Sequence, residues 1–458
     1  MINIPTEEIK QPSFHADELG FVFVWKGHLL RGIYPEAVSQ AKGYFDSGFV
    51  DEVVHKGLFP KTWISEFQNE QFGLIIEHEK IEPVTYATEW NFQMLKDAAL
   101  LVLEIAQIGW KFGYDMIDCH KLNVMFYHNH PIYVDLGSFV PAQKGTAGWK
   151  PFASFLRSYY YILDVWNSGA SQVAKRMMSP HVEMADKDYW VYKSKLFRSF
   201  PSLLNFHIFV EKRLCELVNM SDEFTAQYVK KLHPFLGGAI KVARIIVSKC
   251  KLAPSQHFGY YTKRIQKFHL SDSSSNDFVL GDIEEYLIKA LNEKLSDFTT
   301  MTVINNPAYH LDSVLLNQTK ISKIYSIQEN ESLSRAEYCY YQERKDNVTC
   351  LQFPLSGGEI LIRGKFPEER LSSEIVLMHR VEITEGKFGI HNMIMKIKIL
   401  MKYTTVKTIV MTTLIKNREF IEKLKEIYNV TVYNGNFAIA GGGRLPEVQW
   451  VTIIISTK

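Results

Sequence analysis

From residue 279 onward, short apolar runs rich in β-branched residues alternate with longer stretches of helical periodicity. The pattern predicts a helix over Asp282–Leu295, a strand over Met301–Ile304, a helix over Ala308–Asn317, a strand over Ile324–Ile327, a helix over Leu333–Arg344 and a strand over Val348–Phe353. Beyond a loop it predicts strand Glu374–Met378, helix Ile390–Lys402, strand Thr408–Thr412 and helix Arg418–Tyr428. Two β runs, Val430–Tyr433 and Gln449–Ser456, close the chain. Strands alternating with helices of this length argue for a parallel sheet with helices on both faces. The last two runs have no helix between them and predict an antiparallel hairpin at one edge.

Five strand–helix units followed by a β-hairpin resemble the fold of class I S-adenosylmethionine-dependent methyltransferases, over residues 279–458. The resemblance implies a doubly wound, Rossmann-like domain that binds its ligand at the carboxyl ends of the strands. In such proteins the turn after the first strand is rich in glycine, because the cofactor packs directly on backbone. Here the turn is Asn305-Asn306-Pro307-Ala308, without glycine, and Pro307 lacks an N–H. Asn305 is the cofactor candidate in that turn, and Glu329, after the second strand, is the candidate for the ribose hydroxyls. Gly441–Gly443 lies between the two final β runs, so it is read as a loop and not as a phosphate cradle. The departures leave open either an unusual S-adenosylmethionine site or a fold kept without its cofactor.

A second constellation lies in Phe112–Phe139, FGYDMIDCHKLNVMFYHNHPIYVDLGSF. Asp118 and Asn123 lie in one loop with four residues between them; a predicted hairpin, Val124–Tyr127 and Ile132–Val134, then delivers Asp135 in an Asp-Leu-Gly sequence. This is similar to the catalytic and metal-binding segments of kinase-fold phosphotransferases. Phosphoryl transfer needs a carboxylate at the attacking hydroxyl, assigned to Asp118, and oxygen ligands for Mg²⁺ at the ATP phosphates, assigned to Asn123 and Asp135. Upstream, strands are expected at 21–25, 29–34 and 72–77 and a helix at 36–57, as in a small kinase-like lobe. Lys26 and Arg31 are the basic residues of the first hairpin and the candidate phosphate anchors, with Glu36 or Glu52 as partner. Glu77, entering a hinge-like polar stretch, completes the cofactor-binding candidates. Neither a V-A-I-K setting nor a glycine-rich loop is present.

Glu77-His78-Glu79-Lys80-Ile81, Tyr86-Ala87-Thr88-Glu89-Trp90, Leu95–Leu100 and the aromatic stretch Trp149–Trp166 resemble bacterial nodulation-type, class I methyltransferase family proteins with a kinase-like amino-terminal region. The resemblance implies a kinase-like module, a helical connector and a methyltransferase module. With the polar, serine-rich stretch Leu270–Asp277 as the linker candidate, the domains are expected as a small lobe at 1–88, a helical lobe at 89–270, a linker at 271–278 and a methyltransferase-like domain at 279–458. In fold class this is α/β plus α+β. It also implies work on glycans, lipo-oligosaccharides or small secondary metabolites. His379-Arg380 stands where the family carries a histidine pair, which makes His379 a further cofactor candidate.

Charge and cysteine content narrow the setting. The 52 basic and 50 acidic side chains nearly cancel, which disfavours a nucleic-acid coat. Five cysteines without C-x-x-C spacing predict neither a disulfide framework nor structural zinc, and a reducing compartment fits them. The polar amino terminus does not read as a secretory signal, and no window reads as a membrane span, so a cytoplasmic location is expected. His128 and His130 flank a predicted turn and read as solvated; Lys396, Lys398 and Lys402 read as the exposed side of a helix. Three functions remain open: an ATP- and Mg²⁺-dependent phosphotransferase acting on a small molecule or glycan, an S-adenosylmethionine-dependent methyltransferase, and a non-catalytic scaffold with a protein partner in a biosynthetic complex.

Overall fold

The computed structural model describes residues 2–10, 17–142, 149, 151–179, 183–193, 254–270, 282–306, 308, 310–344, 346–352, 373–381, 383, 387–403, 406–414, 418–434 and 450–458. The amino-terminal unit opens with β1 (Ile2–Asn3) and the hairpin β2 (Gly20–Trp25) and β3 (His28–Ile33), which turns at Lys26-Gly27. The helix expected over 36–57 forms as two, α1 (Val38–Asp46) and α2 (Phe49–His55), because Gly48 between them takes a φ of +79°. Strands β4 (Thr62–Ile64), β5 (Phe67–Gln68) and β6 (Leu74–His78) follow. The antiparallel sheet runs β2-β3-β6-β4, and β5 pairs with β1. Strand β4 has no sequence signature, since its three residues are half-buried or exposed and show no alternation.

Helix α3 (Phe92–Lys111) is the axis of this unit. Asn91 caps it by accepting the Met94 N–H, and its apolar residues surround the helix so widely that twelve of its twenty residues are buried. Beside it lie β7 (Tyr114–Met116), the hairpin β8 (Val124–Tyr127) and β9 (His130–Tyr133), and β10 (Phe139–Pro141), which pairs antiparallel with β7. The expected helical region begins with α4 (Phe152–Phe155), which runs through a π turn at Leu156–Tyr160 into α5 (Tyr161–Asn167). Helices α6 (Ser171–Arg176), α7 (Asp186–Lys193) and α8 (Pro254–Gln266) continue it, and α8 packs along α3. Residues 194–253 and the expected linker at 271–278 lie outside the described residues.

The carboxy-terminal unit comprises α9 (Asp282–Lys294), β11 (Thr300–Ile304), α10 (His310–Gln318), β12 (Lys323–Gln328), α11 (Glu331–Glu343), β13 (Val348–Gln352), β14 (Ile375–Val381), α12 (Lys387–Tyr403), β15 (Thr408–Leu414), α13 (Arg418–Ile427), β16 (Asn429–Asn434) and β17 (Trp450–Ser456). Its sheet has the order β13-β12-β11-β14-β15-β17-β16. The first five strands are mutually parallel, and β17 inserts antiparallel between β15 and β16. This is a doubly wound Rossmann-like sheet whose connectivity reverses direction between β11 and β14. The expected parallel sheet and terminal hairpin are both present.

The two units share one hydrophobic core, which runs from Trp90, Phe92 and Phe126 to Tyr338, Tyr341 and Cys350. Asp97 of α3 accepts from the Tyr338 hydroxyl of α11 at 2.9 Å, and Asn91 donates to Ser334. Strand β13 is an edge, with backbone groups that need a cover. Asn129, at the β8–β9 turn, supplies it. Its Nδ2 donates to the Val348 carbonyl at 2.7 Å and its Oδ1 accepts the Cys350 N–H at 3.0 Å. Asn129 is buried with a φ of +59°, a conformation asparagine tolerates better than most residues. Replacing Asn129 by Ala leaves both backbone groups unpaired and is expected to cost about 2–4 kcal/mol. Urea denaturation checks this: the midpoint should fall at an unchanged slope.

Candidate functional site

Two clusters carry the predicted chemistry. In the first, strand β3 brings Arg31, only 4% exposed, to the end of the β8–β9 hairpin. Its Nη2 donates to Asp135 Oδ1 at 2.8 Å and its Nη1 to Asp17. The Gly137 N–H also donates to Asp135 Oδ1, at 3.1 Å, and the Ser138 hydroxyl donates to Oδ2. Gly137 leaves room for the Asp17 carboxylate: a Cβ on it would lie 2.2 Å from an Asp17 oxygen and would displace that side chain. Across the hairpin base, Asn123 Nδ2 lies 3.3 Å from Asp118 Oδ2 and 3.4 Å from Ser138 Oγ. The Tyr133 hydroxyl holds the loop by donating to the Asp118 carbonyl at 2.8 Å. Arg31, Asp118, Asn123 and Asp135 are thus joined through Ser138 in one network.

His120 stands beside Asp118, with Nε2 3.4 Å from Asp118 Oδ1 and Nδ1 3.1 Å from Glu183. The hydrogen bond to Glu183 raises the His120 pKa, and the same bond lowers Glu183 to about 2. The other candidates sit apart. Lys26 is exposed in the β2–β3 turn, its ammonium 4.4 Å from the Trp25 ring centroid. Glu77 pairs with His28 at 2.6 Å. Glu36 is exposed and Glu52 faces Lys56, so the acidic partner of Arg31 besides Asp135 is Asp17. Asp17 and Glu183 belong to no local motif; only folding brings them to Arg31 and to His120, which itself lies within the Asp118–Asn123 loop. Among the described residues no group of three or more His, Cys, Asp or Glu side chains is arranged to hold a metal.

The second cluster lies at the carboxyl ends of β11 and β12. Asn305 adopts a φ of +51°, the left-handed conformation that a glycine turn would supply. Its Oδ1 accepts the Glu329 N–H at 2.8 Å, which fixes the two strand ends together and leaves the Glu329 residue exposed. Buried Asn306 braces the turn: Nδ2 donates to the Ala308 carbonyl and to Asp312 Oδ1, and Gln328 Nε2 donates to the Asn306 carbonyl at 2.8 Å. Pro307 lies outside the described residues. His379, expected at the cofactor, is buried instead. Its Nε2 lies 2.9 Å from Glu284 of α9 and its Nδ1 2.9 Å from the Thr412 hydroxyl of β15, so it ties a helix to two strands.

Beneath the Asn305 turn, Asp312 and Glu337 are both fully buried. Burial pushes Asp312 up to about 7 and, together with the Asp312 charge, raises Glu337 well above the carboxylate range. The neutral form of Asp312 is therefore favoured in the folded chain. Between about pH 4 and pH 7 the native state binds more protons than the unfolded chain, and stability falls as pH rises through that window. Asp312→Asn is expected to flatten this decline. Calorimetric melting from pH 5 to pH 8 checks it, and parallel curves for the two proteins would contradict it.

No protein-family model matches the sequence. The nodulation protein NoeA of Rhizobium meliloti (strain 1021) is 32% identical over 71 residues, which is 16% of this chain; the chain spans 15% of that relative's length. Among solved structures, TrmK of M. capricolum, in complex with S-adenosyl-homocysteine, is 12% identical, with a TM-score of 0.28, over 39% of this chain and 70% of its own. The methyltransferase domain of bacterial CtHen1 is 12% identical over 38% of this chain and 97% of its own, with a TM-score of 0.29. A precorrin-6y C5,15-methyltransferase from Geobacter metallireducens GS-15 is 17% identical over 40% of this chain and 93% of its own, with a TM-score of 0.27. At these values the fold assignment rests on strand order and direction.

Proposed function

We propose that the chain is an S-adenosylmethionine-dependent methyltransferase acting on a small molecule or glycan. The observation that carries this is the seven-stranded order with an antiparallel β17, combined with the Asn305–Glu329 bracket at the carboxyl ends of the first two strands. The residues present fit the cofactor. Asn305 turns the backbone as glycine does elsewhere, and Glu329 presents an exposed carboxylate at the position suited to two ribose hydroxyls. The bound cofactor supplies an electrophilic methyl group; the chain holds the ribose through Glu329 and keeps the turn rigid through Asn306 and Gln328. Isothermal titration of S-adenosylhomocysteine tests the reading. Micromolar affinity, weakened about tenfold or more in Glu329→Ala by loss of a charge-assisted hydrogen-bond pair, is the expected result. No heat at millimolar ligand would overturn it.

The first cluster favours a second activity, ATP- and Mg²⁺-dependent phosphoryl transfer. The specific observation is the chain of hydrogen bonds in which Ser138 joins Asn123 to Asp135, with Asp118 on Asn123 at one end and Arg31 on Asp135 at the other. In this reading Asp118 orients the acceptor hydroxyl, Asn123 and Asp135 provide oxygen for Mg²⁺, and Arg31 faces the phosphates. A Mg²⁺ site completed by phosphate oxygens and water needs only one or two carboxylates from the protein. Thermal shift with Mg-ATP is the check. Saturating ligand at about 100 times its dissociation constant stabilises by about 2.7 kcal/mol. That shift should vanish in Asp135→Asn, and its absence in the wild type would leave the cluster as a structural ion-pair network.

A further inference from the structure

We propose that Lys175, a residue of the amino-terminal unit, is a positioning residue for the purine-nucleoside end of the methyl-donor site, an inference that rests on the methyltransferase reading above. Lys175 lies in α6 and is half-buried, with its ammonium turned inward across the junction between the units. Its Nζ donates to Gln352 Oε1 at 2.9 Å and to the Trp90 carbonyl, and it faces the Glu331 carboxylate. Gln352 ends β13 and is in register with Gln328, the residue before Glu329. Glu331 starts α11, two residues beyond Glu329. The cation therefore reaches the side chains that follow the second and third strands, immediately outside the proposed ribose acid.

If Glu329 holds the ribose, the attached base extends from β12 toward β13, over Gln352 and Glu331. Both side chains are constrained. Lys175 fixes the Gln352 amide by its oxygen, which sets the direction of its NH₂. Glu331 Oε1 accepts the Phe92 N–H of α3 at 3.0 Å, and the Gln352 side chain and the Lys175 cation both act on the same carboxylate. Burial lowers Lys175 to about 7 and raises Glu331, so each group depends on the other for its charge. A junction built only for adhesion is satisfied by apolar side chains; a buried cation fixing an amide at a strand end is the arrangement that preorganises polar recognition.

Titration of the full chain with S-adenosylhomocysteine and with adenosine, alongside melting of each variant, tests this. Lys175→Met should weaken both ligands by about tenfold or more, the loss of one charged hydrogen bond, whereas Lys175→Arg should retain most of the affinity. A purely structural lysine would lower the melting temperature of Lys175→Met and leave both dissociation constants at the wild-type value, which overturns the proposal. Should Lys175→Met fail to fold, Glu331→Gln replaces it: weakened adenosine binding supports the positioning role and unchanged binding overturns it. A wild-type chain that binds neither ligand overturns the methyltransferase reading together with this one; binding by the wild type with indifferent variants overturns this one alone.

Discussion

The architecture depends on how the exposed edge of the doubly wound sheet is covered. Strand β13 ends the parallel order and carries backbone groups that water or another chain would otherwise claim. Asn129 satisfies two of them, a carbonyl and an N–H, through one side-chain amide whose donor and acceptor match that pair. The turn that carries Asn129 belongs to the β8–β9 hairpin, whose opposite end carries Asn123 and leads into Asp135. One short hairpin thus links the edge of one unit to the polar cluster of the other. Helix α3 packs against α11, and Phe126 of β8 meets Tyr338 of α11 edge-on at 5.8 Å between ring centroids.

The two polar clusters solve the problem of buried charge in opposite ways. Arg31 is nearly inaccessible and is held between the carboxylates of Asp17 and Asp135, so its charge is paired as burial requires. Asp312 and Glu337 have no cation among their closest hydrogen-bond partners, and burial instead shifts them toward their protonated forms. The first arrangement holds the Asp135 carboxylate between Arg31, the Gly137 N–H and the Ser138 hydroxyl beside a half-buried loop. The second places neutral acid beneath the Asn305 turn, where a rigid floor is more useful than a charge.

The sequence alone determined the doubly wound unit, because alternation of period-two and period-3.6 segments is written locally and each strand carries its own apolar run. It likewise singled out Asp118, Asn123 and Asp135 as candidates, whose spacing is a property of one loop and one hairpin and which the fold joins in one hydrogen-bond network. The absence of glycine after β11 read as a departure, yet Asn305 reaches the left-handed conformation with a side chain that then brackets Glu329; residue identity does not disclose φ. The partners of these candidate residues were decided by tertiary structure. Asp17 reaches Arg31 across fourteen positions, Glu183 reaches His120 across sixty-three, and Lys175 reaches Gln352 across 177. Ion pairs and interdomain hydrogen bonds of this kind carry no periodicity, so their formation depends on packing that brings distant segments together and excludes water between them.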